Sequence, residues 1–197
     1  MSLVLASGSA IRRTLLTNAG LSITVDPADI DEGAIKDRMK AQNAPVLMAA
    51  AELAGAKAQA VSRRHPGKLV VGADQILALG TQWFDKPANR QAAAQQLDRL
   101  SGRSHQLVSA AAVVKDGVEI WRIVQTVTLH VRPLSREFID SYLAQAGDAV
   151  LSSVGAYQLE GLGAQLFTAI EGDYFTVLGL PLLPLLAFLR QQGIMLA

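Results

Sequence analysis

The chain of 197 residues contains no cysteine. That absence excludes disulfides, thiolate zinc sites and cysteine nucleophiles together, and it suits a reducing, cytoplasmic setting. Charge is also scarce. Charged residues make up 18% of the sequence, with 18 Lys plus Arg against 17 Asp plus Glu and a formal net charge of +1. Such a balance creates no broad field for a nucleic-acid polymer, so an anionic ligand must meet positive charge locally. Long apolar runs are missing too. The longest stretch free of charge, Tyr174 to Leu189, is broken by Gly179, Pro181 and Pro184. It falls short of the roughly 20 apolar residues that a spanning helix needs. The first apolar run, Leu3 to Ala6, precedes Arg12 and Arg13, the reverse of a signal peptide. A cytoplasmic protein without a membrane anchor is expected.

Other absences narrow the chemistry. The chain has no Walker A loop, no G-x-G-x-x-G after a strand and no G-x-S-x-G elbow. His65, His105 and His130 are too scattered to suggest a zinc site or a triad. A bound metal is therefore expected to be a hard cation held by carboxylates, magnesium or manganese.

What is present is a hydrophobic half: 50% of the residues, enough for a real core. Short runs rich in Val, Ile and Leu alternate with helical patterns, which predicts an α/β fold with a mixed, twisted sheet. No repeat and no obvious linker divides the chain, so 1–197 reads as one domain with two lobes. Strands are expected at Leu3–Ala6, Leu21–Val25, Lys68–Ala73 (continued by Ile76–Leu79 around Gly80), Leu107–Val114 and Ile120–Val131. The last two form a hairpin across Asp116-Gly117. Helices are expected at Ile11–Ala19, near Val46–Arg64 with Asn43 as cap, from Asn89, from Ser135 and from Pro181 onward. Asp26 to Arg38 reads as a linker, and the glycine-rich run Gly155–Gly163 precedes a further hairpin at Gly172-Asp173.

Several segments carry candidate chemistry. LASGSAIRR, Leu5 to Arg13, places a small-residue turn and two arginines at a helix start. Free N–H groups and the helix dipole favour a phosphate there, with Ser7 or Ser9 as hydroxyl donor and Arg12 as bidentate partner. The competing reading is a plain serine cap with solvated arginines. Asp74 ends the apolar run LVVGAD, at the end of a strand where α/β proteins place ligands. It can hold a divalent cation or accept a proton from water, or simply cap a turn; Gly72 and Ala73 leave room beside it. Lys57 shares a helical line with Leu53 and Val61, so it either snorkels out or enters a pocket. Lys86, before Pro87, is a second phosphate candidate. Asp31-Glu32 can supply a metal carboxylate or be an acidic loop. Gln158 and Glu160 fall on one side if their run is extended, and Glu171 and Asp173 read as turn residues.

Taken in order, these segments resemble the Maf family of nucleotide pyrophosphatases. The matching stretches are LASGSAIRR, Asp31-Glu32, AGAKAQA around Lys57, GADQ ending at Gln75, Asp85-Lys86-Pro87, LSGRSHQLVSA, GAYQLEGLGA and IEGDYFTVLGLPL. The resemblance implies a two-lobed fold around a cleft, often as a homodimer, of the Maf and inosine-triphosphatase type. It implies hydrolysis of a nucleoside triphosphate to the monophosphate and pyrophosphate, a nucleotide diphosphatase activity, with a divalent metal (Mg2+ or Mn2+). By position, Asp74 would be the proton acceptor or metal-organising carboxylate, with Glu32 near the metal. Ser7, Arg12, Lys57 and Lys86 would hold the phosphates. Family branches differ at three positions, here Ile11, Gln75 and Glu160. The branch acting on thymidine and uridine triphosphates typically has Arg, Thr and Gln there; the branch acting on 7-methyl-GTP has Trp, Gln and Glu. This chain matches the second at Gln75 and Glu160 and departs from it at Ile11, leaving the base open between 7-methyl-GTP and a broader set. The family's link to septum formation supplies the alternative function, a nucleotide-binding regulator of cell division without essential catalysis.

Overall fold

The structure is a computed structural model, and it describes residues 3–196. The expected α/β class with a mixed sheet is present. Seven strands run in the order β2-β1-β3-β5-β6-β7, with β4 paired to β3. They are β1 (Leu3–Leu5), β2 (Ile23–Val25), β3 (Leu69–Leu79), β4 (Gln82–Phe84), β5 (Ser104–Lys115), β6 (Val118–Val131) and β7 (Phe167–Glu171). Helices α1 (Ala10–Asn18), α2 (Glu32–Ala41), α3 (Val46–Ser62), α4 (Arg90–Leu100), α5 (Arg136–Ala146), α6 (Tyr174–Val177) and α7 (Leu182–Gln191) complete the set. No helix among the described residues is long and apolar enough to cross a membrane.

The chain divides into two compact units. The first comprises Met1–Gln75, Val108–Gln125 and Asp173–Ala197; the second comprises Ile76–Leu107 and Thr126–Gly172. In the first unit β1 pairs in parallel with both β2 and β3. Alternation along each strand then decides which helix it meets. Leu3, Leu5, Leu69, Val71 and Ala73 pack with Leu15 and Leu16 of α1 and Leu185, Phe188 and Leu189 of α7. Val4, Ala6 and Val70 face the other way, against Ala58 and Val61 of α3. Helices α1 and α3 thus cover opposite faces of the same parallel strands. The carboxyl end of β1, beside the middle of β3, lies where such coverage switches sides, the place where open α/β sheets leave a crevice.

Small residues set how close α3 comes. A Cβ added to Gly72 would lie 2.1 Å from the Ala54 carbonyl oxygen and 2.6 Å from the Ala58 nitrogen. What approaches Gly72 is therefore the backbone of α3, not an outside ligand. The linker expected over Asp26–Arg38 is half helix: Asp31 caps α2 by accepting from the Ala34 N–H at 2.8 Å, and Glu32 is its first residue. Pro45, not Asn43, stands at the N-cap of α3. Asn43 adopts φ 50°, a turn conformation that asparagine tolerates. The β5–β6 hairpin turns at Asp116 (φ 49°) and Gly117 (φ 78°), as that dipeptide predicts.

In the second unit, β3 and β4 form an antiparallel pair with Leu77 opposite Phe84, and β7 adds antiparallel to β6 with Leu129 opposite Ile170. Asn89 and Ser135 cap α4 and α5 through their side chains, as expected. The glycine-rich run is not extended. It forms short 3-10 turns at Val154–Ala156 and Leu162–Leu166, and the Gly161 N–H donates to the Gln158 carbonyl at 3.2 Å. Gly163 sits so tightly on Gln158 that a Cβ there would meet its carbonyl oxygen at 2.4 Å. After Gly172-Asp173 the chain enters α6 instead of a hairpin strand, because the Asp173 carboxylate caps it on the Thr176 N–H at 2.7 Å.

Candidate functional site

The β1–α1 turn supplies the first part of the site. Ser9 stands at the N-cap of α1 but makes no side-chain cap bond, and the first turn holds no acidic residue. Its N–H instead donates to Ser7 Oγ at 3.3 Å. The leading N–H groups of a nine-residue helix, with its positive dipole end, are thereby left without a side-chain partner. Ser7 is buried, and its Oγ accepts from Ser9 and from Arg12 Nη1 at 3.1 Å. The Ser7 proton remains available to a ligand oxygen.

Arg12 does not present a free fork. Its Nε donates to the Gly179 carbonyl at 2.8 Å, and its Nη1 donates to the Ala73 carbonyl at 2.8 Å as well as to Ser7. Only Nη2 remains, so a two-pronged grip on phosphate through both terminal nitrogens is not on offer. The guanidinium ties α1 to the middle of β3 and to the segment after α6. Burial lowers its pKa from the ordinary value, while the Asp74 and Glu32 carboxylates oppose that shift.

Alternation along β3 puts Val70, Gly72 and Asp74 toward α3. Because α3 rides directly on Gly72, Lys57, one turn along from Ala54, reaches Asp74, which stands midway along β3 and not at a strand end as expected, since the strand runs on unbroken to Leu79. Its Nζ donates to Asp74 Oδ1 at 2.7 Å and lies 2.9 Å from Glu32 Oε1. The Lys57 and Asp74 side chains are almost fully buried, while Glu32 is 45% exposed. Lys57 therefore does not snorkel to solvent; it binds two carboxylates. Asp74 Oδ2 is buried and has no hydrogen-bond partner. A buried charged oxygen left unpaired is costly, which makes it the atom of this site most in need of a ligand, a water or a cation.

Gln75 points to the opposite face of β3, toward α6. Its Nε2 donates to Ser109 Oγ at 2.9 Å and to the carbonyls of Thr176 and Val177 at 3.1 and 3.0 Å. Ser109 and Thr176 are fully buried, and neither stood out in the sequence. The one signal for Ser109 is a lone hydroxyl inside the apolar run of β5. Ile11 is half-buried against the cluster of α1 and α7. Of the acidic pair, Glu32 joins the site and Asp31 is spent on capping.

Lys86 and Glu160 belong to the second unit, and both are exposed. That unit also holds a buried aromatic group missed by sequence reading. His105 Nε2 lies 2.7 Å from the Tyr157 hydroxyl, beside the mutually packed rings of Tyr157 and Phe167, and its Nδ1 has no partner. Burial pulls the His105 pKa down to about 4 and pushes that of Tyr157 well up. The three histidines serve separate contacts: His65 meets Asp26, and His130 lies between Ser104 and Glu171.

Comparison with known proteins places this arrangement in a lineage. A family model described as Maf-like protein matches residues 2–192. A nucleoside triphosphate pyrophosphatase of Paramagnetospirillum magneticum is 52% identical over 190 residues, covering 96% of this chain and 98% of that one. One from Rhodopseudomonas palustris (strain ATCC BAA-98 / CGA009) is 53% identical over 193 residues, 98% and 95% of the two chains. A protein named 7-methyl-GTP pyrophosphatase from Rhizobium meliloti is 51% identical over 191 residues, 97% and 96%. The matched span contains the β1–α1 turn, Glu32, Lys57, Asp74 and Gln75, and the similarity runs nearly end to end, so the chain belongs to the Maf family.

Proposed function

We propose that the chain is a nucleoside triphosphate pyrophosphatase, cleaving its substrate to a nucleoside monophosphate and pyrophosphate. The observation that carries this reading is Asp74: Oδ1 is pinned by Lys57, while the buried Oδ2 is unpartnered midway along β3, past the stretch paired with β1. The unoccupied N–H groups of α1, the Ser7 hydroxyl and Arg12 Nη2 supply donors for phosphate oxygens. Relatives at about half identity carry names for this activity.

The residues present fit a divalent metal. Asp74 and Glu32 are hard oxygen donors, one with an orphaned oxygen and one partly open to solvent. No group of three or more His, Cys, Asp or Glu able to hold a metal occurs among the described residues. A two-carboxylate set suits Mg2+, which usually takes one or two carboxylates and completes its shell with water and substrate phosphates. Asp74 and Glu32 would hold it, and the ion would neutralise charge growing on the phosphates. The chain's own groups account for the rest. Ser7, the α1 N–H groups and Arg12 Nη2 orient the phosphates. Lys57 fixes the Asp74 carboxylate, and Asp74 Oδ2 takes a proton from the water that attacks the α-phosphorus. The bond from that phosphorus to the bridging oxygen breaks, and pyrophosphate leaves with the electron pair.

For the base, Gln75 and Glu160 favour 7-methyl-GTP, and half-buried Ile11 denies it the aromatic face that would stack on a cationic ring. We therefore assign a specificity broader than 7-methyl-GTP alone, with Lys86 as a further phosphate contact. The test incubates purified protein with Mg2+ or Mn2+ and a triphosphate panel that includes 7-methyl-GTP, following pyrophosphate and orthophosphate separately. Pyrophosphate release that needs metal and disappears in Asp74→Asn is the expected outcome. Orthophosphate release, or full activity in Asp74→Asn, would refute the assignment.

A further inference from the structure

The segment that reads as a linker, Asp26 to Arg38, is fastened to α3 and its closing turn by three ion pairs in antiparallel order. Arg38 meets Glu52 at 3.0 Å, Glu32 meets Lys57 at 2.9 Å, and Asp26 meets Arg64 at 2.8 Å. The helical spacings match, since Glu52 to Lys57 rises about 7.5 Å and Glu32 to Arg38 about 9 Å. The middle pair belongs to the site already described. The outer ones do not.

The pair at Asp26 has the most bonds. Arg64 Nε and Nη2 donate to Asp26 Oδ2 and Oδ1 at 3.0 and 2.8 Å, and Nη2 reaches the Pro27 carbonyl at 3.3 Å. His65 Nε2 lies 2.8 Å from Asp26 Oδ2, and because an ionised carboxylate only accepts, that nitrogen carries the proton. Arg64 first, and His65 second, hold the Asp26 carboxyl down at about 2, so it accepts throughout the neutral range. The Asp26 N–H donates to the Leu5 carbonyl at the end of β1, at 3.0 Å.

These bonds matter because little else places Glu32. Met39 is the one buried residue of α2. Chain connectivity leaves slack as well. Lys57 to Arg64 covers about 10 Å at helical rise, whereas the six steps from Asp26 to Glu32 reach about 20 Å when extended. Contacts must take up the difference. Ala28 supplies one, packed on the cluster that contains Ala58 and Val61, and the grip on Asp26 supplies the others.

We propose that Arg64 and His65 are positioning residues for Glu32: by gripping Asp26 they fix the far end of the 26–32 strap, so that the Glu32 carboxylate stays beside Lys57 and Asp74, where a divalent cation would use it. The inference rests on the hydrolase reading above and on Glu32 as a metal carboxylate. Arg64 stands two helical turns beyond Lys57 and acts on the site only through the strap.

The experiment compares the wild type with Arg64→Met, Asp26→Asn, His65→Gln and the double variant Arg64→Met with Asp26→Asn. It reads the Mn2+ Kd of the nucleotide-free protein from the EPR signal of free Mn2+. It also reads Tm, and the Mg2+ concentration giving half-maximal pyrophosphate release from the best triphosphate of the panel. Arg64→Met and Asp26→Asn should each raise the Mn2+ Kd and the Mg2+ requirement about tenfold, the usual loss when the support of a metal ligand is removed. Their kcat at saturating Mg2+ should stay within about twofold, and Tm should fall by no more than about 2–4 °C. His65→Gln, whose amide can still donate, should stay within about threefold of the wild type. The double variant should lose no more than the worse single one, because both changes remove the same contact. A lower Tm with unchanged Mn2+ Kd and Mg2+ requirement would overturn the proposal, leaving Asp26 and Arg64 a surface ion pair, with the hydrolase reading intact. Additive losses in the double variant would show that Arg64 does not act through Asp26, and would overturn it too. A wild type that neither binds Mn2+ nor releases pyrophosphate would overturn the hydrolase reading, and this inference with it.

Discussion

Replacing Gly72 with alanine should uncouple the site without touching any charged group in it. The new methyl would meet the Ala54 carbonyl oxygen at 2.1 Å, where ordinary contacts begin near 3.4 Å, so about 1.3 Å must be found. The clash is with helix backbone on one side and strand backbone on the other, and neither can yield as a flexible side chain would. Overpacking of this kind costs roughly 1–3 kcal/mol, and more where backbone must move. For a chain of this size each kcal/mol lowers Tm by about 2–4 °C, so thermal unfolding should begin several degrees earlier. The functional effect comes from the direction of relief. A retreat of α3 by about 1.3 Å would carry Lys57 Nζ from 2.7 Å to about 4 Å from Asp74 Oδ1, beyond hydrogen-bond range. Pyrophosphate release should then fall by an order of magnitude or more even below the new Tm. Gly161→Ala is the control, because its methyl would meet nothing nearer than 3.9 Å. If Gly72→Ala keeps both Tm and turnover while the control behaves as expected, the close seat of α3 is not what delivers Lys57 to Asp74.

Removing the charge itself should be harsher: Lys57→Met leaves the buried Asp74 carboxylate uncompensated and should cost about 3–5 kcal/mol in urea unfolding. The double variant Lys57→Met with Asp74→Asn should recover at least about 1 kcal/mol of that, and a double variant no more stable than the single one would refute the pairing energetics. His105 predicts an acid-labile second unit, since folding lowers its pKa from 6.5 to about 4. Its neutral form is favoured in the fold, so the stabilisation is complete above pH 6.5 and is lost progressively between pH 6.5 and about 4, about 3 kcal/mol in all. In His105→Gln that loss should be absent from the difference between urea unfolding at pH 7 and pH 4.5; an unchanged pH dependence would sink the attribution.

The strands and most caps were legible because their causes are local. Asn89 and Ser135 announce helix starts by side-chain chemistry, and Asp116-Gly117 turns the chain by backbone preference alone, so neither needs a partner from elsewhere. The misreadings share a different physics. Asp26–Arg38 reads as a linker because its charges hide a helix whose start depends on one aspartate cap. The conformation of Gly155–Gly163 stays open in the sequence, because glycine spacing does not tell an open strand from turns packed on their own backbone, as Gly163 packs on Gln158. The same limit applies at the site. Lys57, Asp74 and Glu32 stand out as residues, since charge in or beside an apolar pattern is conspicuous, but that Lys57 grips both carboxylates is a long-range fact set by Gly72. Arg12 shows the limit most sharply. Its position at a helix start argues for a bidentate phosphate contact, while three of its bonds go to Gly179, Ala73 and Ser7. Two of those acceptors are backbone carbonyls, which every residue carries and no sequence pattern marks. An arginine that binds the fold is therefore indistinguishable in sequence from one that binds a phosphate, and only the fate of each nitrogen separates them. Here Nε and Nη1 hold the frame, and Nη2 alone is left for the ligand.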